Sequence, residues 1–246
     1  MTGPVVLTPD WPLPPNLRAV QTTRSGGVST GPWNSLNLAL HTGDDPDAVW
    51  RNRSLLGVAL GLPRVPAWPT QVHGVTVAEV ATLTSATEAD AVVARAPGQV
   101  CTVQTADCLP VLFASRDGYA VAAAHAGWRG LAGGVLEATL QALDYPAQEV
   151  TVWLGPAIGP EAFEVGPEVR AAFVADQSAA ADAFRPGQGD RWFADIYQLA
   201  RLRLQRAGVD AIHGGGSCTL TESETFFSYR RDGTCGRMAT LIWRVD

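Results

Sequence analysis

Short apolar runs alternate along this chain with longer segments whose apolar residues recur at helical spacing. The short runs predict strands at 18–24, 72–80, 91–95, 100–105, 109–114, 120–124, 150–154 and 238–244. The longer ones predict helices at 48–60, 131–143, 167–175 and 196–208. The last of these follows Asp195, a natural N-cap, and carries Ile196, Leu199, Leu202 and Leu204 as an apolar stripe. Residues 178–190 are loose and polar, which predicts an insertion or a mobile loop. Strands stand both beside one another and between helices. The expected class is therefore α+β, a mixed β-sheet core flanked by helices in one domain over 1–246.

Composition sharpens this picture in three places. The chain of 246 residues is 46% hydrophobic, enough to bury a core without disulfide staples. Its net charge of −6 argues against a nucleic-acid phosphate backbone as partner. All 18 basic residues are arginine, so Schiff-base chemistry and a P-loop lysine are excluded, and any bound anion must be held by arginine, backbone N–H groups or a metal. The N-terminus lacks a basic segment followed by an apolar one, and no apolar run approaches the ~20 residues of a membrane span. Cys101, Cys108, Cys218 and Cys235 show no CxxC spacing. A cytoplasmic protein with reduced thiols and no membrane partner is the expectation; oligomeric state is not legible.

The chemistry concentrates at strand mouths. Of the four histidines, His73 lies in TQVHGVTV and His125 closes AVAAAHAG, while Cys108 lies in TADCLPVLF. Each stands beside small or turn-forming residues, where a ligand can approach the backbone closely. Two imidazoles and a thiolate form a zinc donor set with one tetrahedral position open, and the spacing matches no zinc finger. The same atoms permit a second chemistry, with Cys108 as nucleophile, His125 as its base and Asp107 or another carboxylate as the orienter. They also permit none, since a buried cysteine is commonly a small hydrophobe and a strand-end histidine a structural one. Residue type and spacing leave all three open.

Around them, Arg24 precedes a Ser-Gly-Gly stretch able to form an anion-binding nest, Arg53 is expected on a helix, and Arg129 follows Trp128. Arg230 and Arg231 follow the aromatic run FFSY. Arg51, Arg201, Arg203 and Arg206 read as a solvated face. His41, in ALHTGDD, is either a residue near the site or a turn residue. His213 reads as loop geometry and Cys101 as core; Cys218 and Cys235 suggest no chemistry.

From about Ala19 to the C-terminus the chain carries, in order, TTRSGGVS, NSLNLALHTGDDPDAVWRNR, TQVHG, TADCLPVLF, AHAGWRG, LGPAIGPEAFEVG and CTLTESETFFSYRRDGTCGRMA. Together these resemble the polyphenol oxidase or laccase-domain family, which includes purine nucleoside phosphorylases of the laccase-domain type. The resemblance implies zinc on His73, Cys108 and His125. It implies phosphorolysis of adenosine, inosine and methylthioadenosine to free base and sugar 1-phosphate, with adenosine deamination. Small-molecule nucleoside and phosphate are then the partners. Some relatives are described as amidases editing peptidoglycan precursors, and the older name implies a copper oxidase. Four imidazoles are too few for a coupled copper cluster, although copper could replace zinc at a single site. On this reading Asp107 moves protons, Arg53 and Arg24 hold phosphate, and Arg129 and His41 meet the substrate.

Overall fold

The computed structural model describes residues 3–245. The chain forms β1 (Val6–Leu7), β2 (Leu17–Thr22), α1 (Pro46–Leu60), β3 (Val77–Glu79), β4 (Ala91–Ala94), β5 (Val100–Thr105), β6 (Leu109–Ser115) and β7 (Val121–Ala126). Helices α2 (Trp128–Gly133) and α3 (Val135–Leu143) follow, then β8 (Val150–Leu154), β9 (Glu164–Val165), α4 (Pro167–Asp176), β10 (Phe184–Pro186) and β11 (Trp192–Ala194). The rest of the chain adds α5 (Ile196–Arg206), β12 (Ala211–Gly214), α6 (Tyr229–Asp232) and β13 (Met238–Arg244).

A four-stranded sheet in the order β1-β2-β13-β5 packs on a six-stranded mixed sheet in the order β12-β8-β6-β7-β4-β3. Side-chain alternation explains how. On β4, Val92 and Ala94 join Cys101, Val103, Ala123 and Ile242 between the two sheets. Ala91 and Val93 point the other way, toward Leu136, Leu140, Leu199 and Leu204 of α3 and α5. The outer face of the smaller sheet is covered by Leu56 of α1 packed with Val20, Leu241 and Trp243. The architecture is thus helix, sheet, sheet, helix, a mixed α+β arrangement as expected. Because both sheets are buried on both faces, their strands read as continuous apolar runs rather than as alternating ones.

The predicted strands at 100–105, 150–154 and 238–244 are observed with those limits, and the others shift by a residue or two, with one exception. Of 72–80 only Val77–Glu79 is strand, because a carboxylate captures the preceding backbone, as described below. The helix expected at 131–143 is two helices, α2 and α3, broken at Gly134 with φ of 98°, a conformation that favours glycine. Residues 178–190 are not a loose loop throughout: Ser178–Ala183 is a 3-10 helix, Ala180, Ala183 and Phe184 are buried in the helix-side core, and β10 pairs with β11. Arg203 is not solvated but buried, paired with Glu137 and Asp176 at 2.8 and 3.0 Å. Among the described residues no helix is long and apolar enough to cross a membrane.

Asp195 caps α5 as expected, its side chain accepting from Gln198 N at 3.0 Å. Asp195→Ala should therefore lower stability by about 1 kcal/mol, measured by denaturant unfolding, with the zinc-type site unaffected.

Candidate metal centre

Two turns and a strand end deliver the three side chains. The first depends on Asp90, which immediately precedes β4 and is fully buried. Its carboxylate accepts from the backbone N–H groups of Val72, His73 and Gly74 at 3.1, 2.9 and 2.7 Å. This wraps residues 72–74 around the oxygens instead of letting them extend β3, and places His73 at φ of 62° with its side chain exposed. The second turn is residues 106–108, where the chain leaves the four-stranded sheet at the end of β5 and enters the six-stranded sheet at β6. Asp107 takes a φ of 89° to make this corner, and Cys108 is set at its exit. The third side chain, His125, lies on β7 opposite Pro110 and is 3% exposed.

Asp90 also fixes the ring of His125, whose Nδ1 lies 2.8 Å from its Oδ1. A carboxylate can only accept, so Nδ1 carries a proton toward Asp90 and Nε2 is the ring nitrogen turned toward the cluster. One carboxylate thus orients one histidine through its ring and the other through its backbone.

The donor atoms of His73, Cys108 and His125 lie within 4.8 Å of one another, and Cys108 Sγ is 3.9 Å from His73 Nε2. A tetrahedral zinc ion with its usual bond lengths sets such atoms about 3.5 Å apart. The rings of His73 and His125 meet edge to face, 4.8 Å between centroids. Glycine at 127 keeps the space open: a Cβ there would stand 2.8 Å from His73 Cδ2 and 3.0 Å from Cys108 Sγ. The donor set and the clearance both fit a zinc-type ion. Burial alone would raise the Cys108 thiol, but the charge of His125 and hydrogen bonds from His125 and His73 hold it below the usual thiol range. Burial pushes His125 down, and the Cys108 charge and the Asp90 hydrogen bond more than offset it, so the ring is raised.

Two cavities meet at the cluster and share His73, Ala106, Cys108 and Tyr229. One, of about 270 Å³, is walled by Trp128, Ile158, Phe163 and Ile196, with Asp107, Arg129 and Arg230. The other, of about 380 Å³, adds His125 and is lined by His41, Gln71, Gln104, Thr105 and Arg237. A roomier cavity of about 490 Å³ lies between α5 and the 214–217 loop, yet it brings together none of the predicted residues.

The structure therefore brings Asp107, Arg129 and His41 to the cluster's cavities with His73, Cys108 and His125. It does not bring Arg24 or Arg53. Arg24 donates to the carbonyls of Asn34 and Ser223 and lies over Phe227, 4.8 Å from its centroid. The expected nest beside it is already filled, since Gly26 and Gly27 donate to Ser35 Oγ and Val28 donates to Asn52 Oδ1. Arg53 donates to Leu38 O and is held between the rings of Trp50 and Trp68, and burial lowers its pKa to about 10. Asp107 does not orient His125; that carboxylate is Asp90. Asp107 instead accepts from Thr219 Oγ1 and Arg230 N, both at 2.6 Å. Sequence reasoning missed Asp90, Arg237 and Thr105. For Asp90 a signal existed, a lone carboxylate opening the otherwise apolar run AVVA.

The family model described as multi-copper polyphenol oxidoreductase laccase matches residues 18–245. The chain belongs to this family. It is 56% identical over 241 residues to a purine nucleoside phosphorylase of Pseudomonas aeruginosa, covering 98% of both chains. It is 54% identical to the purine nucleoside phosphorylase YfiH of Escherichia coli, covering 98% of this chain and 99% of the relative. A crystal structure of a Neisseria meningitidis protein superposes with a TM-score of 0.95 at 51% identity, covering 98% and 99% of the two chains. YlmD of Geobacillus stearothermophilus superposes at 0.87 with 31% identity, covering 94% and 93%. Against the multi-copper description of the family stands the ligand supply of this member. It has four histidines, and among the described residues one cluster, His73–Cys108–His125, has three metal-ligating groups in reach of one ion.

Gly127→Ala should place a methyl group against His73 and Cys108 and lower the zinc retained after loading and dialysis by at least about ten-fold, with the thermal melt of the metal-free protein little changed. Elemental analysis reads the first and circular dichroism the second; full zinc retention would refute the cradle.

Proposed function

We propose that the protein is a zinc-dependent purine nucleoside phosphorylase acting on adenosine, inosine and methylthioadenosine, with adenosine deamination at the same centre. The observation that carries this reading is the position of the His73–Cys108–His125 cluster at the junction of an apolar, aromatic cavity and a polar one. A nucleoside has the matching division, a flat base joined to a polar sugar. The names of relatives that are 54–56% identical over nearly their whole length support it. Four free cysteines agree with a cytoplasmic setting.

Trp128, Phe163 and Ile158 present apolar surface on which a purine is sequestered from water. Arg129 and Arg230 at the same wall donate to the purine's ring nitrogens, and in inosine to its exocyclic oxygen, as negative charge develops on the departing base. Asp107, with both oxygens engaged, holds the Arg230 backbone in place and is a positioning residue in this scheme, in place of the proton carrier expected from sequence. Burial, with the nearby charges of Arg237, Arg53 and His125, lowers the pKa of His41 and so favours its neutral ring. A bound zinc ion supplies Lewis-acid polarisation of a substrate oxygen or of water. Copper in place of zinc at the same donors would give at most a weak phenol oxidase.

One observation favours a second reading. Asp90, His125 and Cys108 form a carboxylate–imidazole–thiol series of the kind that activates a nucleophile for amide cleavage, as in an amidase on an acylated amino sugar. Metal decides between them. With the zinc protein, inosine and phosphate should yield hypoxanthine and a sugar 1-phosphate, and adenosine should release ammonia. Chelation or His73→Ala should lower turnover by about 100-fold or more. Metal-free protein that keeps its activity and loses it on thiol alkylation would establish the amidase-type chemistry instead.

A further inference from the structure

The polar cavity lacks any carboxylate lining, in a chain of net charge −6, and contains Arg237 and His41. Arg237 Nη1 donates to the carbonyls of Cys235 and Gly236, both at 3.0 Å, which fixes one corner of the guanidinium. Its Nη2 and Nε have no hydrogen-bond partner among the described residues, so a second edge is free to grip an anion through paired N–H groups. Thr105 lines the same cavity, is 1% exposed, and its hydroxyl has no partner. Buried hydroxyls are nearly always paired, so an orphan one on a residue that lines a cavity marks a place where a ligand atom could be met. Across the cluster, Arg129 and Arg230 share their cavity with the Asp107 carboxylate, a poor neighbour for a dianion.

We propose that the polar cavity is the subsite for the attacking phosphate, with Arg237 gripping two oxygens and Thr105 and His41 bonding the others. This rests on the phosphorolysis reading. Phosphate on one side of the cluster and purine on the other place the anomeric carbon between them, which suits in-line displacement. The phosphate oxygen–carbon bond forms as the carbon–nitrogen bond to the base breaks. The bonding pair leaves with the purine, and the proton carried by hydrogen phosphate balances the base, giving neutral purine and the sugar 1-phosphate dianion.

The test uses the full chain with its zinc. Inorganic phosphate binding is measured by calorimetry, and KM for phosphate and for inosine by base release. Arg237→Gln should raise both the phosphate Kd and its KM about ten-fold or more, and Thr105→Val should raise them roughly three-fold, with the inosine KM within two-fold of wild type. Arg129→Gln should do the reverse, raising the inosine KM. Arg237→Lys, which keeps the charge, covers the case in which the glutamine variant unfolds. Unchanged phosphate binding in Arg237→Gln, Arg237→Lys and Thr105→Val, or a phosphate KM that responds to Arg129→Gln instead, would overturn the assignment. If wild type binds phosphate in an Arg237-dependent way but turns inosine over without it, the phosphorolysis reading fails and the anion subsite stands. Arg237-dependent binding of a nucleoside 5′-phosphate with none of inorganic phosphate would give the subsite to a substrate's own phosphoryl group and overturn the proposal.

Discussion

A carboxylate with no access to water must find donors for both oxygens or cost several kcal/mol. Asp90 is such a carboxylate, and the way it is satisfied organises the site. Three consecutive backbone N–H groups and one imidazole converge on it. Its own carbonyl takes the N–H of His125 at 2.7 Å, tying the two strands at the same level. Replacing that carboxylate would leave the 72–74 turn with orphaned donors and the His125 ring free to rotate. The cluster's geometry is therefore inherited from a buried group that lines neither cavity.

Layering explains why the cluster is where it is. His125 belongs to the six-stranded sheet, Cys108 to the corner where the chain changes sheets, and His73 to a turn braced from the start of β4. The seam between two sheets is a place where backbone must bend, and bends supply the positive φ at His73 and Asp107 that regular strands do not. Small residues do the rest. Ala122 to Ala124 let both neighbouring layers approach β7, and Gly127 leaves the approach to the cluster clear.

Much of this was legible in the sequence, and the failures have physical causes. Apolar runs reported the strands well, because each central strand is buried on both faces. They could not report that β5 and β6, three residues apart, lie in different sheets. Histidine and cysteine at strand mouths, with the family resemblance, pointed to the three residues that the fold brings together. Asp90 was invisible to a reading that sought carboxylates near the cysteine in sequence, since its partner His125 is an across-strand neighbour. The arginines misled for a related reason: a glycine-rich context suggests an anion nest, but at Arg24 the donors serve Ser35 and Asn52, which are distant in sequence. Thr105, an ordinary strand threonine by pattern, is distinguished only by what its hydroxyl lacks.

The dispersal of the three cluster residues over two turns and a strand has a thermodynamic consequence. No local segment of the unfolded chain contains two of them within a few residues, so the ion's affinity for the unfolded state is small. Binding and folding are then linked, and native protein is stabilised by RT ln(1 + [metal]/Kd). On the zinc reading, metal supply would set not only how many molecules are active but how long each survives: a shortage would be registered as faster turnover of the protein itself.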